Sequence, residues 1–255
     1  MEMERPLIGI IGGVGPSAGL DFMRYMFANT RAVKDQDHLD SVLISCPALI
    51  PDRTEFLLNE GKPGYENPAY GMFECAKRLY RAGARYISVA CNTAHADHIF
   101  TLFRALVRDS LPGVSIVNML ETCAACARET GVTRAGLLAT VGTYQSRVYH
   151  EYFTEEAGFV LIEPDADARE SIHAAIYSED FGIKAHSDPV TEKAKTILRD
   201  AITRLAGQGS QALILGCTEL PLAISPSDSP LPLLNPALLA ARRLIRLSAP
   251  EKLLP

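Results

Sequence analysis

The sequence predicts an α/β fold of two similar halves related by a pseudo-twofold axis, each a mostly parallel sheet flanked by helices. Three observations carry that expectation. Short apolar runs alternate with longer helical patterns, which is the rhythm of βαβ units. GIIGGVGP from Gly9 is echoed by GLLATVGT from Gly136, 127 positions on, and GARYISVACNTA from Gly83 by GSQALILGCTEL from Gly209, 126 positions on. A period near half the chain is too long for a solenoid or a propeller. Finally, Cys91 and Cys217, also 126 apart, each follow directly on an apolar strand and precede polar residues.

Taken in order, Leu7–Ile11 is the first strand, and GGVGPSAG leads from it into a helix over Ser17–Asn29, with Pro16 suited to the first helical turn. Ser41–Cys46 is the second strand. GKPGYENP has the composition of a mobile surface loop near whatever site the strands build. A helix over Pro68–Ala82, a strand over Tyr86–Ala90, a strand over Ser115–Met119 and a helix over Leu120–Glu129 complete the first half. The second half repeats the scheme with strands Ala135–Thr140, Val160–Glu163, Ala212–Gly216 and Leu231–Leu234. Its helices are Tyr144–Glu156, Arg169–Tyr177 and Thr191–Ala206, and Pro236–Leu247 closes the chain. VNML at 117–120 and LLNP at 233–236 each follow a cysteine motif and open a helix, which suggests that each helix crosses to the other lobe. The expected lobes are therefore 1–117 plus 229–255, carrying Cys91, and 118–228, carrying Cys217.

With 255 residues, 47% of them hydrophobic and 22% charged, the chain can bury a substantial core without a metal or disulfide staple. A net charge of −5 and a pI near 5.7 give no support to a nucleic-acid surface or a polybasic membrane anchor. MEMERPLIGIIGG has acids where a signal peptide needs bases, and no window holds 18 uninterrupted apolar residues. A cytoplasmic protein with no nucleic-acid or membrane partner is expected.

Six cysteines in such a chain are expected to stay reduced. Cys75 lies in the amphipathic run AYGMFECAKRLYRAG and fills core space. Cys123 and Cys126 form a CxxC inside a helical pattern, without the strand-to-helix turn of a redox motif. His95 and His98 share that spacing but do not complete a zinc signature, so no metal is expected. Gly13, Gly15 and Ala18 satisfy a relaxed dinucleotide fingerprint, yet the following strand ends in Cys46-Pro47 without the acid that should meet a ribose. A close-approach loop facing a small anion suits the segment better. Arg53, in ISCPALIPDRT beyond the second strand, offers a bidentate fork to a carboxylate, or pairs with its neighbour Asp52.

The centre of the pattern is Cys91-Asn92-Thr93 and Cys217-Thr218. A thiol at a strand end leading into a helix N-terminus is in a setting that favours thiolate. One such cysteine could serve as a nucleophile with His95 nearby. Two of them related by pseudo-symmetry fit an acid and a base on opposite faces of one carbon, with sulfurs about 7 Å apart across a cleft. Two buried strand-end cysteines without chemistry is the plain alternative.

At these residues the sequence resembles the cofactor-independent aspartate/glutamate racemase family, specifically its aspartate racemase branch. GIIGGVGPSA, IPDRT, CNTAH, LLATVGT and LGCTELP carry the resemblance, in the family's order, from residue 8 to 221. It implies two facing α/β lobes with the active site in the cleft between them, and racemisation of a small dicarboxylic amino acid without pyridoxal or any other cofactor. Cys91 and Cys217 match the two proton donor/acceptors, Arg53 a contact to the substrate side-chain carboxylate, and Lys184 a second basic contact. Asn92, Thr93, Thr140, Thr143 and Thr218 match polar residues around the amino and carboxylate groups, while Asp52 and Glu219 flank the cysteine motifs and could manage their protons. Val14 stands where Met is common in the pocket wall, and Cys46 where many relatives have Asn or another residue before the proline. Relatives suggest a homodimer. The wider superfamily includes decarboxylases and maleate isomerase, and a silent dicarboxylate-binding protein is the rival from another class.

Overall fold

The computed structural model describes residues 6–154 and 157–255. The chain divides into two compact units, Met1–Thr122 with Ala237–Pro255, and Cys123–Pro236.

In the first unit β1 (Leu7–Gly12), α1 (Pro16–Ala28), β2 (Ser41–Ser45), α2 (Arg53–Leu58), α3 (Pro68–Arg81), β3 (Ala84–Val89), α4 (Asp97–Ser110) and β4 (Ser115–Val117) succeed one another. The strands form a wholly parallel sheet in the order β2-β1-β3-β4. Helices cover both faces, so the strands read as near-continuous apolar runs. Ile8 and Ile10 of β1 face one way, onto Phe22 and Met26 of α1. Ile11, Ile87 and Val89 meet Met72, Ala76 and Leu79 of α3 and Ile99 and Phe103 of α4. Alternation along β1 thus divides one strand between two cores.

α5 (Met119–Glu129) leads into the second unit, which holds β5 (Arg134–Leu138), α6 (Val141–Ser146), β6 (Val160–Ile162), α7 (Ala166–Tyr177), α8 (Glu192–Gly207), β7 (Ala212–Leu215), the single turn α9 (Leu220–Ala223) and β8 (Leu233–Leu234). Its sheet is again wholly parallel and has the equivalent order, β6-β5-β7-β8. Ile11 lies beside Val89 in the first sheet and Leu138 beside Leu215 in the second, so the sequence repeat is also a register repeat. Leu138, Leu213 and Leu215 pack on Ile172 and Ile176 of α7 and on Leu198, Ile202 and Leu205 of α8. α10 (Pro236–Ser248) sets Ala237, Ala240, Ala241, Leu244 and Ile245 against Ile8, Ile10 and α1.

Caps set the helix starts. Asn67, Asp165 and Thr191 accept backbone N–H bonds at the heads of α3, α7 and α8. Asn118 Oδ1 accepts from the amides of Leu120 and Glu121 at 2.8 and 3.0 Å, which begins α5 at Met119 and ends the expected strand 115–119 early. The helix expected over Tyr144–Glu156 is instead α6 and a 3-10 turn over Val148–Glu151, divided at Arg147, whose φ is 52°. Tyr144 breaks the pattern: its buried hydroxyl donates to Leu137 O and accepts from Ala139 N–H, both at 2.9 Å, which ties the helix back to its own strand. Glu155 and Glu156, the end of that expected helix, lie outside the described residues. α2 and α4 appear where the sequence reading placed no helix.

Candidate active site

In the first unit the β1–β3 ladder closes with Ala90 N–H donating to Ile11 O at 2.9 Å. Beyond that rung the Gly-rich loop and the Cys91 turn leave the carboxyl end of neighbouring strands, where open α/β sheets bind ligands. Gly13 has φ 79°, and a Cβ on it would fall 2.7 Å from Cys46 N and 2.8 Å from Pro47 N. Only glycine lets the loop pass that close to the end of β2. Val14 is buried in the same apolar cluster as Cys91. Its carbonyl accepts from Arg53 Nη2 at 2.9 Å, while Arg53 Nη1 reaches Pro51 O at 3.3 Å. Arg53 opens α2, and Asp52 is its N-cap, accepting Glu55 N–H at 2.8 Å. The structure thus gives Asp52 a capping role and holds Arg53 against the Gly-rich loop.

Cys91 and Asn92 are buried and Thr93 is half-buried. His95 is fully buried, with Nδ1 2.7 Å from Cys91 O and Nε2 accepting Met119 N–H at 3.3 Å. A carbonyl can only accept and an amide N–H only donate, so the ring is neutral with its proton on Nδ1. Burial lowers its pKa to about 4, against the opposing hydrogen bonds. Both ring nitrogens are spoken for by backbone groups, and the nucleophile–base pairing of His95 with the Cys91 thiol is not what the fold builds.

In the second unit Gly216 N–H donates to Leu138 O at 2.7 Å, at the equivalent rung. Thr140 caps α6, accepting Thr143 N–H at 3.3 Å, with the two buried hydroxyls 3.0 Å apart. Cys217 Sγ donates to Glu219 Oε2 at 2.9 Å, and Thr218 Oγ1 to the same oxygen at 3.1 Å. Lys184 Nζ donates to Oε1 at 2.7 Å, and only 8% of the Glu219 side chain is exposed. Burial alone would raise the Glu219 carboxyl. Lys184 and the hydrogen bonds from Cys217 and Thr218 outweigh it and hold Glu219 below its usual value. Burial likewise opposes the Lys184 charge, and Glu219 overcomes it, raising the ammonium above the usual lysine value.

Cys217 goes the other way. Burial first, then the Glu219 charge and hydrogen bond, push its thiol well above the ordinary value. The thiolate-favouring setting expected at this residue is therefore corrected: α9 is a single turn with little dipole, and the nearest charge is negative. Cys91, for its part, is separated from α4 by a short 3-10 turn over Thr93–His95. The sequence reading missed Tyr177, whose ring lies 5.0 Å from Lys184 Nζ and stacks on His173 with centroids 4.7 Å apart. An aromatic at the end of α7, seven residues before the lysine, was the available signal.

Cys123 and Cys126 are free thiols in α5, and burial pushes Cys123 upward. Among the described residues no group of three or more His, Cys, Asp or Glu side chains could hold a metal, and no helix is long and apolar enough to cross a membrane.

Residues 11–244 match the Asp/Glu/Hydantoin racemase family. The chain belongs to that family. Among solved racemase-family structures, an aspartate racemase from Picrophilus torridus is 29% identical, with 98% of this chain and 96% of that one covered and a TM-score of 0.78. An aspartate racemase homologue from Pyrococcus horikoshii is 26% identical, with 96% and 100% covered and a TM-score of 0.73. By sequence, a glutamate racemase from Deinococcus radiodurans is 32% identical over 143 residues, 56% of this chain and 44% of that protein. The matched region spans about half the length of that glutamate racemase and of a second one, from Roseiflexus.

Proposed function

We propose that this member of the racemase family is an amino-acid racemase acting on a small acidic substrate, aspartate first and glutamate second, with Cys91 and Cys217 as the two proton donor/acceptors at Cα. The observation that supports the reading best is the pair of equivalent ladder ends. One cysteine follows Ala90, bonded to Ile11, and the other follows Gly216, bonded to Leu138.

The proton inventory follows from the surroundings. Glu219 is held as the carboxylate and Cys217 as the thiol in the free protein, so Cys217 begins as the acid of the pair. Abstraction at one face of Cα and delivery at the other inverts the centre, and the return reaction exchanges the roles. For Cys217 to act as a base its thiolate must form beside Glu219. The ammonium groups of Lys184 and of the substrate supply the opposing charge. Glu219 positions that thiol and receives no role at the substrate itself. Arg53 holds the distal carboxylate with a fork already oriented by Val14 O and Pro51 O, and Asn92, Thr93, Thr140, Thr143 and Thr218 offer hydrogen bonds to the amino and α-carboxylate groups. Val14 is the apolar wall. A homodimer is the assembly we propose, and the chemistry calls for no cofactor.

Either aspartate enantiomer incubated in deuterium oxide should exchange its Cα proton and racemise with the wild-type protein. Cys91→Ala and Cys217→Ala should each lower racemisation by at least about 10³-fold, as expected when an acid or base is lost. Racemisation at the wild-type rate in either variant, or turnover of a malonate or maleate with none of any amino acid, overturns the assignment.

A further inference from the structure

The two cysteine turns are held in different ways. In the second unit the Cys217 carbonyl accepts the backbone N–H of Leu220 at 3.2 Å, an i to i+3 turn bond. In the first unit the Cys91 carbonyl meets a side chain instead, with His95 Nδ1 2.7 Å away. The Cys91 amide is engaged as well, donating to Val89 O at 2.9 Å across a three-residue turn. Both peptide groups of Cys91 are thus fixed, and with φ and ψ set the Cα–Cβ bond that carries the thiol has one direction. The histidine ring is itself seated. Phe100 of α4 packs on it with centroids 4.4 Å apart. Nε2 accepts the Met119 N–H, one of the amides that the start of α5 leaves without an intrahelical partner, and Asn118 Oδ1 takes the next two. That bond keeps the ring proton on Nδ1, where the Cys91 carbonyl can receive it.

We propose that His95 is a positioning residue for Cys91: its Nδ1–H bond to the Cys91 carbonyl aims the thiol, and the Met119 amide on Nε2 holds the ring in the tautomer that makes that bond. This role rests on the reading of Cys91 as a proton donor/acceptor and gives the histidine no contact with the reacting atoms. A released carbonyl lets the Cys91 turn rotate, and a misplacement of about 1 Å at a reacting group costs roughly 10²-fold in rate. Asparagine and glutamine separate the two edges of the ring. An asparagine amide nitrogen stands as many bonds from Cβ as Nδ1 does and can still donate to the Cys91 carbonyl. A glutamine amide stands one bond further out, level with Nε2, and can accept from Met119 instead.

The test uses the full chain carrying His95→Asn or His95→Gln. With either aspartate enantiomer, His95→Gln should lose about 10²-fold in kcat while KM moves less than about fivefold, and His95→Asn should recover kcat to within about fivefold of wild type. A second readout needs no turnover. Iodoacetamide labelling followed by peptide mass analysis should find Cys91 alkylated about tenfold faster in His95→Gln than in wild type, relative to Cys217 in the same protein, and at the wild-type ratio in His95→Asn. If no protein turns over aspartate, the racemase reading falls, while the labelling ratios still report on the histidine. A His95→Asn protein as slow as His95→Gln, a loss confined to KM, or an unchanged Cys91 labelling ratio in His95→Gln would each overturn the proposal. Should His95→Gln fail to fold, proton–nitrogen correlation NMR of the wild-type ring at neutral pH decides it: the proposal requires the proton on Nδ1, and a proton on Nε2 overturns it.

Discussion

Removing the Lys184 ammonium tests the network around Cys217 most directly. Lys184→Met keeps an unbranched stem beside Tyr177 but leaves the Glu219 carboxylate with only the Cys217 and Thr218 donors. Breaking a buried ion pair from one side costs about 3–5 kcal/mol. The Lys184 side chain keeps 32% of its exposure, so water screens part of the pair and about 2–3 kcal/mol is expected. In a chain of this size that lowers Tm by about 5–10 °C. The pH dependence has a definite sign. The depressed Glu219 value gives stability that is present above the unfolded carboxylate pKa and lost as pH falls through the folded one. The raised Lys184 value gives stability that is present below the unfolded lysine pKa and lost as pH rises through the folded one. The wild-type contribution is therefore flat across neutral pH. In Lys184→Met burial acts on Glu219 without its main opponent, the carboxyl protonates more readily, and the deficit should shrink from pH 7 to pH 5. Calorimetric melts of wild type, Lys184→Met and Lys184→Met/Glu219→Gln at both pH values decide it. The double variant should return to within about 1 kcal/mol of wild type, since a neutral amide needs no cation. A single variant as stable as wild type at pH 7, or a deficit that grows toward pH 5, would refute the reasoning.

Three further outcomes follow from the geometry. His95, neutral in the fold with a pKa of about 4, should cost the protein up to about 3 kcal/mol as pH falls from 6.5 toward 4, because the unfolded ring binds the proton first. His95→Gln should flatten that slope in urea titrations, and a His95 ring titrating near 6.5 by NMR contradicts it. Gly13→Ala should destabilise by at least about 2 kcal/mol, since φ 79° and a 2.7 Å approach to Cys46 N both exclude a methyl; an unchanged urea midpoint would show that the loop can yield. Arg53→Lys should raise KM for an acidic amino acid at least about tenfold, because an ammonium cannot keep the carbonyls of Val14 and Pro51 and also present a fork; an unchanged KM removes Arg53 from the carboxylate site.

How much of this was legible in the sequence depends on the range of each interaction. All eight strands among the described residues could be read, because parallel strands buried on both faces are continuous apolar runs, and the repeat indicated which strands correspond. Helix starts were legible where a cap stands in sequence, as at Asn67 and Thr191. α4 escaped because Ala96, which precedes it, supplies no side-chain cap, although Ile99, Phe100, Phe103 and Val107 have helical spacing. α6 was misread because Tyr144, an ordinary helix residue by propensity, is bound through its hydroxyl to its own strand. Of the candidate site residues, those of the two cysteine turns and Arg53 were visible as motifs. The Lys184–Glu219 pair spans 35 residues and the Arg78–Cys46 contact 32, and no local pattern announces either.

The repeat also shows where the two halves part company, and that difference matters more to the chemistry than the likeness. Offset by 126, Cys217-Thr218-Glu219 falls on Cys91-Asn92-Thr93, so the carboxylate that holds the Cys217 proton has threonine as its counterpart. The cations are unmatched as well: Arg53 opens α2 in the first unit, whereas Lys184 follows α7 in the second. An α-carbon bearing ammonium, carboxylate and side chain presents two inequivalent faces, and a symmetric pair of thiols would face different charges across it. In the proposed two-thiol reaction, matching the two barriers then requires that the protein surround its thiols unequally. Glu219→Gln provides the sharpest trial of that argument. With the negative charge gone, Cys217 should ionise more readily, so the direction that begins with Cys217 as base should gain relative to the direction that begins with Cys217 as acid. The equilibrium constant between enantiomers cannot change, so the gain must appear as opposite movements of the two kcat values balanced by the two KM values. Initial rates from each enantiomer measure this, and equal kcat changes in both directions would show that Glu219 does not set the proton on Cys217.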